Sequence, residues 1–318
     1  MTPTKPSIES TGPGMTPRRK WTIIGIVAAV TIGLFALGVY RWNWHGTVTR
    51  MVSKVVPYPA AVVDGNVIRW SDFEDNVAIL EKFYDKQRPT AAPGSVFPSE
   101  SDIKQRVLDR MIRDELALSL ASERNISVST SEIQTAYGRM VIPDITSKSG
   151  SSQSAAELKA EQTLEDSYGI SAREYKNMVL RPLLVRQKLA DQIRGDDTLN
   201  AAKLAKAKSA AYELRSGADF KETALKYSED PNLKVNFGDR GHIGTGLMPP
   251  EVDLAISHAN KDDVIGPIKS ALGWHVLKVG DTNSAHKTGI QEIVVYPVTI
   301  DEWLEAQLKK ANVTIYIH

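Results

Sequence analysis

His275 stands inside a strand-like apolar run, "GWHVLKVGD", a few residues after Ser270 and the Gly266-Pro267 turn. An imidazole is the side chain that gains and loses a proton near neutral pH, so its place among Val276, Leu277 and Val279 calls for a reason. The rest of the chain narrows the chemistry it could serve. There is no cysteine, which excludes a thiolate nucleophile, a disulfide and a zinc thiolate site. The six histidines are scattered, with no His-Glu-x-x-His spacing, so neither a metal nor a cofactor is expected. Gly238, Gly241, Gly244 and Gly246 lack the Gly-Lys-Ser/Thr of a phosphate loop and read as turns that need glycine backbone. A net charge of +1 leaves no basic excess for a nucleic-acid surface.

The elements around His275 alternate in type. A helix with Leu204, Ala207, Ala211 and Leu214 ends at Gly217, and a short one follows in "DFKETALKYSED". After the glycine-rich stretch, Pro249-Pro250 start a third helix carrying Val252 and Ile256. "VIGPIKS", "GWHVLKVGD" and "TGIQEIVVYPV" read as strands. Thr299 and Glu302 cap a last helix, and "NVTIYI" closes as a strand. Residues 199–318 are therefore expected to form an α+β domain.

Upstream, residues 58–194 read as mainly helical. Asp64-Gly65 makes a hairpin turn between Ala61–Val63 and Val67–Trp70. Ser71 with Glu74, Ser129 with Glu132, and Ser171 with Glu174 each have capping-box spacing. Leu108, Met111, Ile112, Leu116 and Leu120 mark one helical stripe, and Asn125 can end that helix. Pro182 should kink the helix that runs to Gly195. "QRPTAAPGSVFPSES" and "SKSGSSQSAA" are expected as loops.

The amino terminus bears on location. Residues 1–20 are a Pro/Thr/Ser/Gly-rich tail ending in Arg18-Arg19-Lys20, expected to be disordered and cytoplasmic. "WTIIGIVAAVTIGLFALGVY", residues 21–40, carries no charge and as a helix would span roughly 30 Å, the thickness of a hydrocarbon core. Trp21, Tyr40, Trp42 and Trp44 flank it as interfacial rings. The expectation is a single-pass anchor in the cell membrane lipid, with the bulk of the chain extracytoplasmic. A cleaved signal peptide ending near Ala36-Leu37-Gly38 is the alternative.

One ordered set of residues carries a resemblance: Gly217-Ala218-Asp219-Phe220, Ala224 to Ser228 with Asp230, Gly238-Asp239-Arg240-Gly241, Gly246-Leu247-Met248, Gly266-Pro267-Ile268 and Gly273-Trp274-His275-Val276. Together they resemble a parvulin-type (PpiC-like) peptidyl-prolyl cis-trans isomerase domain. The helical region upstream is more loosely similar to the chaperone region of SurA/PrsA-type proteins. The resemblance implies an antiparallel sheet with surrounding helices and a rotation about X–Pro amides, whose planarity sets a barrier of about 18–20 kcal/mol. It implies His275 and Ser270 in a polar network on the floor of the site and Asp230 at its rim. It implies Met248 as a pocket wall, beside Val252 and Arg240. The implied partners are unfolded or newly translocated polypeptides with X–Pro bonds, and the secretion machinery.

The family's opening strand, which bears a histidine, is missing from "RGDDTLNAAKLA". "GIQEIVVYPV" is expected to supply it from the carboxy-terminal side, alongside the His275 strand, with Glu292 or Gln291 in the histidine's place. Val252 replaces a pocket aromatic, Arg240 an apolar residue, and Leu272 a small polar one. These departures carry a second reading: a holdase that binds unfolded polypeptide without isomerase activity.

Overall fold

The computed structural model describes residues 58–92, 94–141 and 153–317, together with position 38. The expected tail, the expected anchor over 21–40 except position 38, and most of the "SKSGSSQSAA" loop lie outside the described residues. Among the described residues, no helix is long and apolar enough to cross a membrane.

The chain divides into two compact units, and the cut falls inside helices. The first unit holds the described residues up to Glu115, with Thr163–Ile170 and the chain from Ala311 onward. Strands β1 (Pro59–Val63) and β2 (Asn66–Arg69) form the expected hairpin. Asp64 and Gly65 both take positive φ, 47° and 86°, as a tight primed turn demands. Helix α1 (Trp70–Gln87) follows directly, with Arg69 at its N-cap and no side-chain cap. The capping box expected at Ser71 and Glu74 is not formed, because both residues already lie inside the helix and are buried. Helix α2 (Glu100–Glu123) begins in this unit. Phe83 stacks on Tyr168, their centroids 5.4 Å apart, and the Lys82 ammonium donates to the Glu165 carbonyl at 2.6 Å. The late strand β7 (Val313–Ile315) pairs antiparallel with β1, so the sheet order is β2-β1-β7. The final residues thus group with the early hairpin, where the sequence reading kept them with residues 199–310.

The second unit holds Leu116–Gln162 and Ser171–Lys310. Helices α3 (Thr130–Met140) and α4 (Gln153–Tyr168, cut near its end by the division) precede a helical run. That run comprises Ala172–Tyr175, a π-helical stretch Lys176–Leu180, and α5 (Arg181–Gly195). Pro182 sits in the first turn of α5. Its missing N–H and ring would break regular α hydrogen bonding here, and the widened π turn absorbs the change without a sharp stop. Capping boxes form at Ser129/Glu132 and Ser171/Glu174 as expected.

Helix α6 (Ala201–Arg215), helix α7 (Phe220–Tyr227) and a short turn Pro231–Val235 lead to β3 (Asp239–Ile243), a strand concealed in the sequence by a bulge next to Gly241. Helix α8 (Pro250–Ser257), β4 (Val264–Lys269), β5 (Trp274–Thr282), β6 (Thr288–Val295) and α9 (Ile300–Leu308) complete the unit. The four strands form one antiparallel sheet in the order β3-β6-β5-β4. β5 and β6 are a hairpin, with His275 opposite Val294 and Leu277 opposite Glu292. The strand expected from the carboxy-terminal side therefore does lie against the histidine strand.

Because side chains alternate along a strand, the sheet has two faces. Trp274, Val276, Ile293 and Val295 pack against Ala207, Ala211 and Leu214 of α6 and Phe220 and Ala224 of α7. On the other face Leu277, Val279 and Ile290 pack against Met248 and Val252. His275 and Glu292 share the second face.

Candidate functional site

A chain of short hydrogen bonds crosses the second face. His275 is 1% exposed and Glu292 is 0% exposed. The His275 Nδ1 stands 2.6 Å from Glu292 Oε1, and its Nε2 stands 2.7 Å from Ser270 Oγ. Ser270 Oγ also accepts from the Leu272 N–H at 3.0 Å. The arrangement that satisfies every atom has Nδ1–H donating to the carboxylate and the Ser270 hydroxyl donating to Nε2. The opposite oxygen, Glu292 Oε2, accepts from Arg240 Nε at 2.6 Å.

Local backbone aims these groups. β3 has a bulge between Asp239 and Gly241, at Arg240. Asp239 Oδ1 accepts the Gly241 N–H at 2.8 Å and holds that bulge. A bulge interrupts strand alternation and redirects one side chain, which brings the Arg240 guanidinium over Glu292. Gly238 makes the approach possible. Its φ is +81°, its carbonyl accepts the Glu292 N–H at 2.8 Å, and a Cβ there would stand 2.7 Å from both the Glu292 carbonyl oxygen and the Phe220 ring. On the other side of the histidine, Gly266 at φ +107° is required because a Cβ would collide with the His275 carbonyl oxygen.

Burial alone would push the Glu292 carboxyl up and is the largest single influence on it. The His275 hydrogen bond and the Arg240 charge together outweigh burial, and the group is held below the usual glutamate range. Glu292 is thus an anion enclosed by protein, paired on both oxygens, as a buried charge must be.

At the carboxy-terminal end of β6 the segment Glu229-Asp230 is stapled to the sheet. The Glu229 N–H donates to the Val294 carbonyl at 2.8 Å, and the Glu229 carboxylate accepts the Tyr296 N–H at 2.9 Å. Lys206 and Lys203 approach that carboxylate at 2.8 and 3.2 Å. Asp230 caps the Pro231–Val235 turn by accepting the Asn232 N–H at 2.9 Å. Burial first, then the Asp230 and Glu292 carboxylates, raise the Tyr296 phenol above its ordinary value, against the opposing influence of Arg240.

The structure therefore joins His275, Ser270, Glu292 and Arg240 in one chain of contacts, and the backbone bond from Glu229 to Val294 holds the segment with Asp230 against the end of β6. Gln291, the other position weighed for the missing histidine, instead pairs with Asp239 and Lys278 and has the opposite parity on β6. Met248 and Val252 belong to the apolar cluster with Leu277, Val279 and Ile290, and Val252 is fully buried. A cavity of about 240 Å³ is lined by Ser270, Ala271, Gly273, Trp274 and Pro297 with the end of α5. A larger one, about 360 Å³, lies toward the other end of the sheet between Ile243, Ile256 and Val279, and neither is lined by Met248, Val252 or Arg240. The sequence reading missed Tyr296. Period two along β6 was the available signal, since residues 290, 292 and 294 lead to 296 on one face.

Residues 16–190 match a SurA-like N-terminal domain, and residues 188–281 match a PPIC-type PPIASE domain. The chain is similar to chaperone SurA of Pectobacterium atrosepticum, 23% identical over 308 residues, covering 82% of this chain and 67% of that protein. It is similar to chaperone SurA of Vibrio parahaemolyticus, 26% identical over 294 residues, covering 79% and 65%. A third relative is foldase protein PrsA 2 of Bacillus cereus, 29% identical over 173 residues, covering 47% and 61%. The chain spans about two thirds of the length of these curated relatives. Among solved structures, the peptidylprolyl isomerase PrsA of Bacillus anthracis covers 64% of this chain and 86% of its own, at 18% identity and a TM-score of 0.22.

Proposed function

Because the chain belongs to the family of the SurA-like N-terminal domain and carries a PPIC-type isomerase domain, we propose that it is a peptidyl-prolyl cis-trans isomerase and chaperone for unfolded polypeptide. Rotation about an X–Pro bond breaks no covalent bond. It needs a surface that removes the amide from water and offers hydrogen bonds suited to the twisted form. The single observation that carries the reading is the Ser270–His275–Glu292–Arg240 chain, with contacts of 2.6 to 2.7 Å; Arg240, Ser270 and His275 lie within the matched residues 188–281, and Glu292 is brought to them from the next strand. The residues proposed to serve the substrate are Arg240, Asp230, Ser270 and Met248, with His275, Glu292 and Val252 behind them. The helices of 58–194 would hold extended chain while the residues from 199 onward turn prolyl bonds. The apolar segment 21–40 would tether the chain in the cell membrane with its bulk outside the cytoplasm, near the secretion machinery.

A second reading, a holdase without isomerase activity, is favoured by the full burial of Val252 and His275. Two measurements on one preparation separate the two readings. Exchange spectroscopy of a short proline peptide reports cis-trans rotation, and light scattering of a denatured client reports holding. Accelerated exchange together with reduced scattering supports the first reading. Reduced scattering with exchange at the spontaneous rate leaves only the second.

A further inference from the structure

His275 and Glu292, at 1% and 0% exposure, have no surface to offer a prolyl peptide. The network reaches solvent through Arg240, whose side chain is 38% exposed. Its Nε is committed to Glu292, and the two Nη amines make no hydrogen bond among the described residues. The guanidinium is thus held at one edge by a buried anion and presents its remaining donors outward. It is held by design of the backbone as well, since the β3 bulge falls at Arg240 and Asp239 locks it. The segment that carries Asp230 is bonded to the end of β6, Glu229 N–H to the Val294 carbonyl and Tyr296 N–H to the Glu229 carboxylate.

We infer that Arg240 is the catalytic donor of this site: one Nη–H hydrogen-bonds the prolyl nitrogen of the X–Pro amide as the bond twists, and the buried Ser270–His275–Glu292 chain is the scaffold that positions it. The inference rests on the isomerase reading above. In a planar amide the nitrogen lone pair is conjugated with the carbonyl and accepts no hydrogen bond. At ninety degrees of twist the nitrogen is pyramidal and its lone pair is free. A donor aimed there binds the transition state and not the ground state, which is the condition for raising kcat. A guanidinium suits the task because it is always protonated and only donates, so no proton changes hands and the balance of atoms is that of rotation alone. The local charge agrees with an uncharged target. Glu292 neutralises Arg240, and Asp230 adds a negative group nearby, so the free amines face a neutral peptide group more favourably than an acidic side chain.

The test uses the full chain and exchange spectroscopy of an Ala-Pro peptide, with circular dichroism to confirm folding. Arg240→Gln is expected to lower kcat about a hundredfold with KM within about threefold, as for loss of one preorganised donor. Arg240→Gln combined with Glu292→Gln removes the unpaired buried anion as well. If Arg240 only neutralises Glu292, the double variant regains the rate and the inference is overturned. If Arg240 touches the substrate, the double variant stays slow. An active wild type whose rate Arg240→Gln leaves unchanged also overturns the inference while sparing the isomerase reading. A folded wild type that does not accelerate exchange removes the isomerase reading itself, and this inference falls with it.

Discussion

The two faces of the four-stranded sheet are made from the same strands and do different work. One face packs Trp274, Val276, Ile293 and Val295 against the apolar side chains of α6 and α7. The other carries Leu277, Val279 and Ile290 beside an imidazole and a carboxylate that water does not reach. The apolar face gains stability from area removed from water. The mixed face gives part of that gain away, because ionic groups must be desolvated before they pair. The difference teaches where to look for function: alternate positions of β5 and β6 are spent on packing, and two of those between them, His275 and Glu292, join a hydrogen-bonded chain that ends at one exposed guanidinium.

The largest expected effect falls on the apolar face. Ile293→Ala should cost about 3 kcal/mol of stability, the usual loss for a fully buried isoleucine, seen as a lower denaturation midpoint with the activity per folded molecule kept. On the mixed face Glu292→Ala should cost about 2 kcal/mol, below the usual figure for breaking a buried pair because the stranded Arg240 side chain can turn to water. A loss there as large as that of Ile293→Ala would make the two faces energetically alike and break the contrast. The mixed face should also respond to acid. The folded chain holds the Glu292 proton less tightly than the unfolded chain does, so the network adds stability above the ordinary glutamate value of about 4.3 and loses it as pH falls through the lower folded value. Glu292→Gln should flatten that part of a stability-against-pH curve, whereas Ile293→Ala should shift the curve without changing its slope. Ser270→Ala, which removes the donor to His275 Nε2, should cost about 1 kcal/mol in the same denaturation assay. The smallest effect is expected far from the sheet. Ser129→Ala removes one exposed cap of α3 and should cost about 0.5–1 kcal/mol.

Most elements were legible in the sequence, because their signals are local. Capping boxes at Ser129, Ser171 and Thr299, and the Asp64-Gly65 turn, depend on spacing over four residues and formed as read. Ser71 and Glu74 had the same spacing and failed, because the hairpin leads straight into α1 and both residues already lie inside the helix. β3 was concealed because it carries a bulge next to Gly241, so it lacks the alternation that marks an ordinary strand. Of the site, His275 and Ser270 stood out as polar residues in an apolar setting, and Glu292 followed from the expected strand pairing. The grip of Arg240 on Glu292 was not legible, since it joins residues 52 apart through a kink in one strand. Tyr296 lies just past the end of β6, and only the folded sheet shows what it faces.

The pairing of β7 with β1 has a bearing on how the molecule is made. Asp64 and Asn312 bond to one another across 248 positions of sequence. A polypeptide emerging from the ribosome presents its first hairpin long before the third strand has been translated. Throughout that interval the outer rim of β1 has its amides and carbonyls open to any passing extended segment. Closing so wide a loop is slow, although each doubling of its length adds only about 0.6 kcal/mol. Proteolytic clipping within β7 would therefore be felt first at Ala60 and Val62, in the early hairpin.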